Sequence, residues 1–252
     1  YNNAYPIVIG KFYNSAQLGL YSRAQSYASL PSSNITGILQ RVTFPVLSLM
    51  QDDDERLALN YRRLLRVSAF VVFPLMVMLA AVAAPLIRVM ITSKWDGCVG
   101  FLQILSIAMM WYPIHAINLN LLQVKGRSDL FLRLEIYKKI FGVLILICTI
   151  PLGVTAMCWG LVVGSVFSLV MNTYYTGKLI KVGFFIQMKD LLPTLVNSVI
   201  MGGIAYYTVN NIDSSIISLI AACSVSIVFY FTTSYLLKIP ELKEVILIIK
   251  RK

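Results

Sequence analysis

One long uncharged run, IFGVLILICTIPLGVTAMCWGLVVGSVFSLVMNTYYTG (140–177), determines the fold class of this chain. It is nearly twice the roughly 20 apolar residues that a helix needs to cross a bilayer. Pro151 and Gly153 interrupt it, and this pair is typical of a tight turn. The run therefore predicts the adjoining parts of two membrane-spanning helices, over about Phe131–Ile150 and Ala156–Leu179.

The composition extends this interpretation to the whole chain. Hydrophobic residues make up 58% of the sequence and charged residues 13%, with a mean hydropathy of +0.75; soluble domains have about 25% charged residues. Backbone amides in lipid must be satisfied internally, and the apolar blocks are too long for barrel strands. We predict an all-α integral membrane protein with about seven transmembrane helices after the end of a truncated helix. The other five helices are expected at Gln17–Met50, Leu64–Met90, Val99–Gln123, Leu191–Val209 and Ile216–Leu237.

The basic residues predict the orientation of these helices. Most of the 22 Lys and Arg residues fall near alternate connections, after the first, third and fifth helices and in the C-terminal tail. By the positive-inside rule these connections and the tail are cytoplasmic. The net charge of +11 is then explained by the membrane surface, and we expect no nucleic-acid partner. We also expect the 11 acidic residues to lie in external loops or on the cytoplasmic side, with none embedded in the membrane.

Few residues are available for chemistry. His115 is the only histidine and the four cysteines form no C-x-x-C pair, so we expect no metal, no cofactor and no disulfide. The acidic turn QDDDER (51–56) resembles an Asp-x-Asp sugar-nucleotide motif, although acids at a helix start also cap its free amides. We favour capping, and we interpret the small-residue row Gly160, Gly164 and Ser168 as a helix-packing surface.

The polar stretch YSRAQSYASLPSSNITGILQR (21–41) is the candidate binding segment. Arg23 and Arg41 are separated by five helical turns, about 27 Å, on one face of a helix, and Asn34 and Tyr27 lie close to that line. Arginine inside a membrane is costly, so it should face a cavity or a partner. We predict that these four residues bind an anionic ligand. In the alternative interpretation the two arginines extend to the two membrane surfaces.

Four segments resemble a known family: VIGKFYNSAQLGLYSRAQSYASLP (8–31), GILQRVTFPVLSLMQDD (37–53), KWDGCVGFLQILSIA (94–108) and LLQVKGRSDLFLRLEIYKK (121–139). They are similar to the C-terminal half of Wzx-type polysaccharide flippases, in the multidrug/oligosaccharidyl-lipid/polysaccharide exporter superfamily. The resemblance implies the C-terminal lobe of a MATE-like two-lobe transporter. We expect a truncated helix end (1–12), the rest of a six-helix lobe (13–182), two additional transmembrane helices (183–237) and a basic cytoplasmic tail (238–252).

The same resemblance implies a function. Such proteins move undecaprenyl-diphosphate-linked oligosaccharide across the bacterial inner membrane by alternating access, for O-antigen, capsule or exopolysaccharide synthesis. The expected partners are this lipid-linked glycan, membrane lipids, the N-terminal lobe of the same protein and the polysaccharide polymerase or export machinery. We expect that the protein is not an enzyme. Two alternatives stay open: a cation-coupled multidrug or metabolite exporter, and a membrane glycosyltransferase or polymerase that uses the acidic turn.

Overall fold

The computed structural model describes residues 4–244, and within this range the chain is helical, without a β-strand. The α-helices of the described range, in chain order, are α1 (Ala4–Phe12), α2 (Ser15–Ser48), α3 (Asp54–Ala81), α4 (Ala83–Met90), α5 (Val99–Met109), α6 (Tyr112–Val124), α7 (Ser128–Thr149), α8 (Val154–Ile180), α9 (Phe184–Asn210) and α10 (Ser215–Leu236). Short 3₁₀ turns cover Ser93–Cys98 and Ile150–Leu152. The all-helical prediction is confirmed.

The uncharged run at 140–177 forms the predicted helix–turn–helix. Helices α7 and α8 meet at the 3₁₀ turn Ile150–Leu152, and Gly153 follows with a φ of 100°. Such a backbone angle strains any residue with a Cβ, which explains the glycine. At Gly160, the closest approach between these helices, an added Cβ would lie 2.6 Å from Cγ2 of Ile145. Gly160 is therefore a packing residue, as predicted.

Five helical segments in the described range have the length and composition of membrane spans. They are Asp54–Ala81, Ser93–Val124, Val154–Ile180, Phe184–Asn210 and Ser215–Leu236. The other two predicted crossings correspond to α2 and α7, which have 34 and 22 residues but carry many polar side chains. At 1.5 Å per residue both helices are long enough to span the hydrocarbon layer.

Two predicted continuous helices are each broken in two, and both breaks have the same cause. Helix α3 ends at Ala81, four residues before Pro85, and α5 ends at Met109, four residues before Pro113. Proline has no N–H for the carbonyl four residues earlier, and its ring collides with that turn. The predicted helices Leu64–Met90 and Val99–Gln123 are therefore interrupted, and the second interruption positions the candidate site.

Helix α3 lies at the centre of the lobe, against α2, α5, α6 and α9. The two C-terminal helices pack on its other side, with α9 along α3 and α10 against α9 and α4. The close approach of α9 depends on Gly202, where an added Cβ would lie 2.4 Å from Cγ1 of Val77. Helix α9 begins at Phe184, seven residues before the predicted start, and Asp190 in its second turn pairs with Arg62 of α3.

The beginning of the predicted tail packs on the helices. Ile239 and Leu242 are buried in a cluster with Phe70 and Tyr230. Glu241 is 4% exposed, and its carboxylate accepts a 2.6 Å hydrogen bond from Nε of Arg66. The rest of the predicted basic tail, residues 245–252, lies outside the described residues.

Candidate functional site: a polar cavity within the lobe

A cavity of about 890 Å³ opens between α2, the broken helix α5–α6, α7 and α8. Its polar and charged lining consists mainly of amides, hydroxyls and three charged groups. These residues are Tyr5, Tyr21, Gln25, Ser29, Ser32, Ser33, Thr36, Gln40, Tyr112, His115, Glu135, Lys138, Lys139, Ser165 and Ser168. Its volume is in the range of ligand sites, and apolar side chains such as Leu105, Met109 and Phe131 form the rest of the lining, as in most of them.

Helix α2 supplies the longest polar wall. Its lining residues, from Tyr21 through Ser32 to Gln40, are spaced three or four positions apart and so share one helical face. The Tyr21 side chain is fully buried, and its hydroxyl has no hydrogen-bond partner among the described residues. Gln25, Ser33 and Gln40 add amide and hydroxyl groups, which both donate and accept hydrogen bonds.

The break between α5 and α6 is bridged by two hydroxyls from the cavity walls. Pro113 leaves the carbonyl of Met109 without its helical donor, and Oγ of Ser32 in α2 donates to that oxygen at 2.8 Å. Oγ of Ser165 in α8 donates to the carbonyl of Ala108 at 3.1 Å. Both carbonyls at the end of α5 therefore have partners on neighbouring helices, and the break holds three walls together.

His115 lies one turn after the break and completes this junction. Its Nε2 is 3.0 Å from Oγ of Ser165. Because the Ser165 hydroxyl already donates to the Ala108 carbonyl, we assign the proton to Nε2, which then donates to Oγ. Nδ1 is left as a buried acceptor without a partner among the described residues.

Helix α7 brings charged groups into the cavity. Nζ of Lys138 lies 2.5 Å from Oε1 of Glu135, one turn earlier, and Lys139 lines the same wall. Glu135 lies in the third turn of α7, within the predicted helix Phe131–Ile150, and shares one helical face with Gly142 and Ile145. That this face lines a cavity was not predicted, and the cytoplasmic position of Glu135 stays a prediction.

The four predicted binding residues lie elsewhere on α2. None of Arg23, Tyr27, Asn34 and Arg41 is in the described lining of this cavity. Ser32 is nine residues from Arg23, two and a half turns, so the two residues point in opposite directions. The Arg23 guanidinium lies 5.2 Å from the ring centroid of Trp95, beyond the end of α4. The binding role of the four residues stays a prediction.

The acidic turn before α3 has a structural role. Asp53 is the N-cap of α3, and its carboxylate accepts a 3.0 Å hydrogen bond from the backbone N–H of Arg56. The ammonium of Lys125 reaches Asp54 at 2.5 Å and the carbonyl of Gln51 at 2.6 Å. The capping interpretation is confirmed, and the lysine connects the α2–α3 and α6–α7 turns.

The turn before α7 has a second ion pair, outside the cavity. Gly126 adopts a φ of 66°, which favours glycine. Arg127 then donates two 2.9 Å hydrogen bonds to Asp129 and lowers the pKa of that carboxyl to about 2. Both side chains are about half exposed, so this pair is a useful control for the pair in the cavity.

The chain is similar to known proteins over much of its length. A family model described as "Polysaccharide biosynthesis protein" matches residues 1–100. An "Uncharacterized membrane protein in cps region" of Klebsiella pneumoniae is 28% identical over 75% of this chain and 37% of its own length. The lipopolysaccharide biosynthesis protein WzxC of Escherichia coli (strain K12) is 24% identical over 75% and 37%.

Two further proteins are similar to this chain, one in sequence and one in fold. The teichuronic acid biosynthesis protein TuaB of Bacillus subtilis (strain 168) is 24% identical over 79% of this chain and 42% of its own length. The structure of the lipid II flippase MurJ, in an inward closed conformation, covers 86% of this chain with a TM-score of 0.65 and 17% identity; the match spans 48% of MurJ. The chain thus spans less than half the length of these relatives. The matches confirm the resemblance predicted from the motifs: this chain is an all-α membrane protein with a MurJ-like fold, similar to the membrane proteins of polysaccharide biosynthesis.

Proposed function

We propose that this chain is the C-terminal lobe of a flippase that moves polyprenyl-diphosphate-linked oligosaccharide across the bacterial inner membrane by alternating access. The cavity between α2 and α5–α8 is the observation that carries the proposal. Its amide and hydroxyl lining suits the hydroxyls of a sugar, and its lysines suit a phosphate group. The relatives named for lipopolysaccharide and teichuronic acid biosynthesis support the same substrate class.

The physical task is to carry a polar headgroup past the hydrocarbon layer. An unpaired charge or hydroxyl in lipid costs several kcal/mol, so an aqueous, hydrogen-bonding route lowers the barrier. A cavity of about 890 Å³ accommodates only part of a glycan headgroup, and the polyprenyl chain stays in the bilayer. The rest of the route is completed by an N-terminal lobe, which we propose is supplied by the same protein.

The outward face of α2 is the second part of this proposal. Arg23, Asn34 and Arg41 are exposed, and Tyr27 is partly exposed. An N-terminal lobe that lies opposite this face of α2 would make the face one wall of a route between the two lobes. The four residues then bind the anionic substrate while the inward face of α2 contacts the cavity described above. The polysaccharide polymerase or export machinery is a further proposed partner.

Transport by the full-length protein tests the proposal. In proteoliposomes, we expect the protein to make an undecaprenyl-diphosphate-linked oligosaccharide in the inner leaflet accessible to an external lectin. The double variant Arg23→Ala with Arg41→Ala should reduce this rate at least tenfold at equal protein level, because the diphosphate loses its partners. Asp52→Ala, which alters the acidic turn, should leave transport unchanged. A loss of transport in this variant would instead support a glycosyltransferase that uses this turn. Lipid that stays inaccessible with the wild-type protein would refute the proposal.

The proposed inner-membrane orientation has its own test. The C-terminal tail and the turn between α2 and α3 are proposed to be cytoplasmic, and the turn between α9 and α10 external. In intact cells lacking an outer-membrane barrier, and in a background with the native cysteines replaced because Cys148 is exposed, a membrane-impermeant maleimide should label Asn211→Cys and leave Asp52→Cys unlabelled until the cells are opened. Both positions are exposed, so accessibility within the protein does not bias the comparison. The reverse labelling would invert the topology.

A cation-coupled exporter is the second candidate, and Glu135 is the observation that favours it. Proton- or sodium-coupled transport of cations uses a carboxylate inside the membrane domain, and Glu135 lines the cavity. However, Lys138 already neutralises this carboxylate at 2.5 Å, and Lys139 leaves the three described charges of the lining with a positive sum. The electrostatics therefore favour an anionic substrate. Efflux of a lipophilic cation by the same proteoliposomes would reverse this choice.

A further inference from the structure

The Glu135–Lys138 ion pair differs from the ion pairs that join separate elements of this lobe. Arg62–Asp190 joins α3 to α9, and Lys125–Asp54 joins two turns. Glu135 and Lys138 belong to one turn of α7, so their pair holds no second element in place. An i,i+3 pair within a helix contributes little to stability, so fold stability gives little reason for it.

The surroundings of the pair indicate a binding role. The side chains of Glu135 and Lys138 are 30% and 13% exposed, and both line the cavity. Lys139 lines it too, and it forms none of the ion pairs found between residues 4 and 244. Among the described lining residues Glu135 is the only acid, so one lysine of the lining is paired and the other has no ion-pair partner among the described residues.

We propose that Glu135 is a displaceable counter-ion: it pairs with Lys138 and is displaced when a phosphate-type anion binds to Lys138 and Lys139 together. The inference rests on the proposed function and names a second anion position, on the cavity side of α2, which the diphosphate would occupy at a different stage of transport from Arg23 and Arg41. A diphosphate has more acceptor oxygens and more charge than one carboxylate, so it can engage both ammonium groups by charge-assisted hydrogen bonds.

The position of Glu135 on the same helix as Lys138 explains how the ligand is released. Because the described ion pair of Glu135 is with Lys138 of the same helix, rotation of Glu135 away from Lys138 breaks no described ion pair between helices. It stays attached one turn away, and so it competes for Lys138 at a high effective concentration. A competitor of this kind lowers the affinity for the anion, which suits a transporter that must bind and then release its substrate.

The proposal predicts opposite effects for the two partners of the pair. Glu135→Gln removes the competitor but keeps the shape of the side chain, so the affinity for an anion should rise about tenfold. Lys138→Gln removes a cation, so the affinity should fall about tenfold. Asp129→Asn breaks the exposed pair with Arg127, outside the cavity, and should leave the affinity unchanged.

The experiment measures binding by the full-length protein in nanodiscs of zwitterionic lipid. The probes are undecaprenyl diphosphate and uncharged undecaprenol. We expect Glu135→Gln to bind the diphosphate more tightly than the wild type and Lys138→Gln to bind it more weakly, with undecaprenol bound equally by all. Should Glu135→Gln fail to fold, Glu135→Asp, with a carboxylate one methylene shorter, is expected to shift the affinity in the same direction.

Two further arms separate the explanations. Nanodiscs with phosphatidylglycerol test whether an ordinary lipid headgroup occupies the lysines; if so, this lipid would abolish the difference between wild type and Glu135→Gln and overturn the diphosphate assignment. Equal or weaker diphosphate binding by Glu135→Gln would overturn the counter-ion role, whatever the transport assay shows. Conversely, Glu135→Gln could bind the diphosphate more tightly while the wild-type protein fails to transport the lipid-linked oligosaccharide. This result would refute the proposed function but support the anion site.

Discussion

Gly202→Ala is expected to destabilise the protein by about 1–3 kcal/mol, the cost of forcing an extra methyl group into a packed interface. The new Cβ would lie 2.4 Å from Cγ1 of Val77, where α9 crosses α3. A β-branched side chain in a helix has essentially one χ1 rotamer, so Val77 has little freedom to move aside. The two helices must therefore separate, which also loosens α10 because it packs on α9.

The neighbouring glycine provides a matched control. A Cβ at Gly203 meets nothing within 4 Å, and alanine is a better helix former than glycine. Thermal unfolding of the purified full-length protein in detergent, followed by size-exclusion fluorescence, should show a lower midpoint for Gly202→Ala and an unchanged or higher one for Gly203→Ala. Equal midpoints for both variants would show that the α3–α9 contact is looser than the structure indicates.

Asp190→Ala is expected to have an effect of similar size, for an electrostatic reason. Its carboxylate is 9% exposed and accepts hydrogen bonds from Nε and Nη2 of Arg62 at 2.6 and 2.8 Å. Arg66 lies 3.9 Å from the same carboxylate. Removal of the acid leaves two partly buried guanidinium groups with less compensation. Since Arg62 is about one-third exposed, we expect about 1–3 kcal/mol, less than for a fully buried pair.

Asp129→Ala is the control for this second prediction. Asp129 also forms a two-bond pair with an arginine, Arg127, but both side chains are about half exposed. Water replaces the lost contacts there, so the unfolding midpoint should not change measurably. If the two aspartate variants unfold at the same temperature, the Arg62–Asp190 pair does not attach α9 to α3.

The helices themselves were largely predictable because their signal is local. The apolar block at 140–177 is bounded by charges and divided by Pro151 and Gly153, and both helices appear within a few residues of their predicted limits. The breaks before Pro85 and Pro113 were not predictable in the same way. Pro31, Pro45, Pro74 and Pro193 lie inside helices that continue. Whether a proline ends a helix depends on other helices supplying partners for the freed carbonyl, as Ser32 does for Met109.

The candidate site was also predictable only in part. The segment 21–41 was correctly identified as the polar helix, and its cavity-facing residues repeat with helical spacing just as Arg23 and Arg41 do. Because both faces of α2 are polar, periodicity alone could not tell which face lies against α5, α6 and α8. Similarly, the local sequence predicted that Glu135 belongs to a helix, but it did not indicate that the side chain lines a cavity.

Composition and local spacing were sufficient to predict the membrane class, the helical fold, most helix positions, the capping by the acidic turn and the resemblance to polysaccharide flippases. The packed helices were needed to show which face of α2 lines the cavity, which prolines break a helix, and that Glu135 and Lys138 line the cavity. Such features depend on partners that are distant in the sequence, for example Ser32 and Met109, which are 77 residues apart. No local pattern specifies such a partner, because burial and pairing arise only when the helices pack.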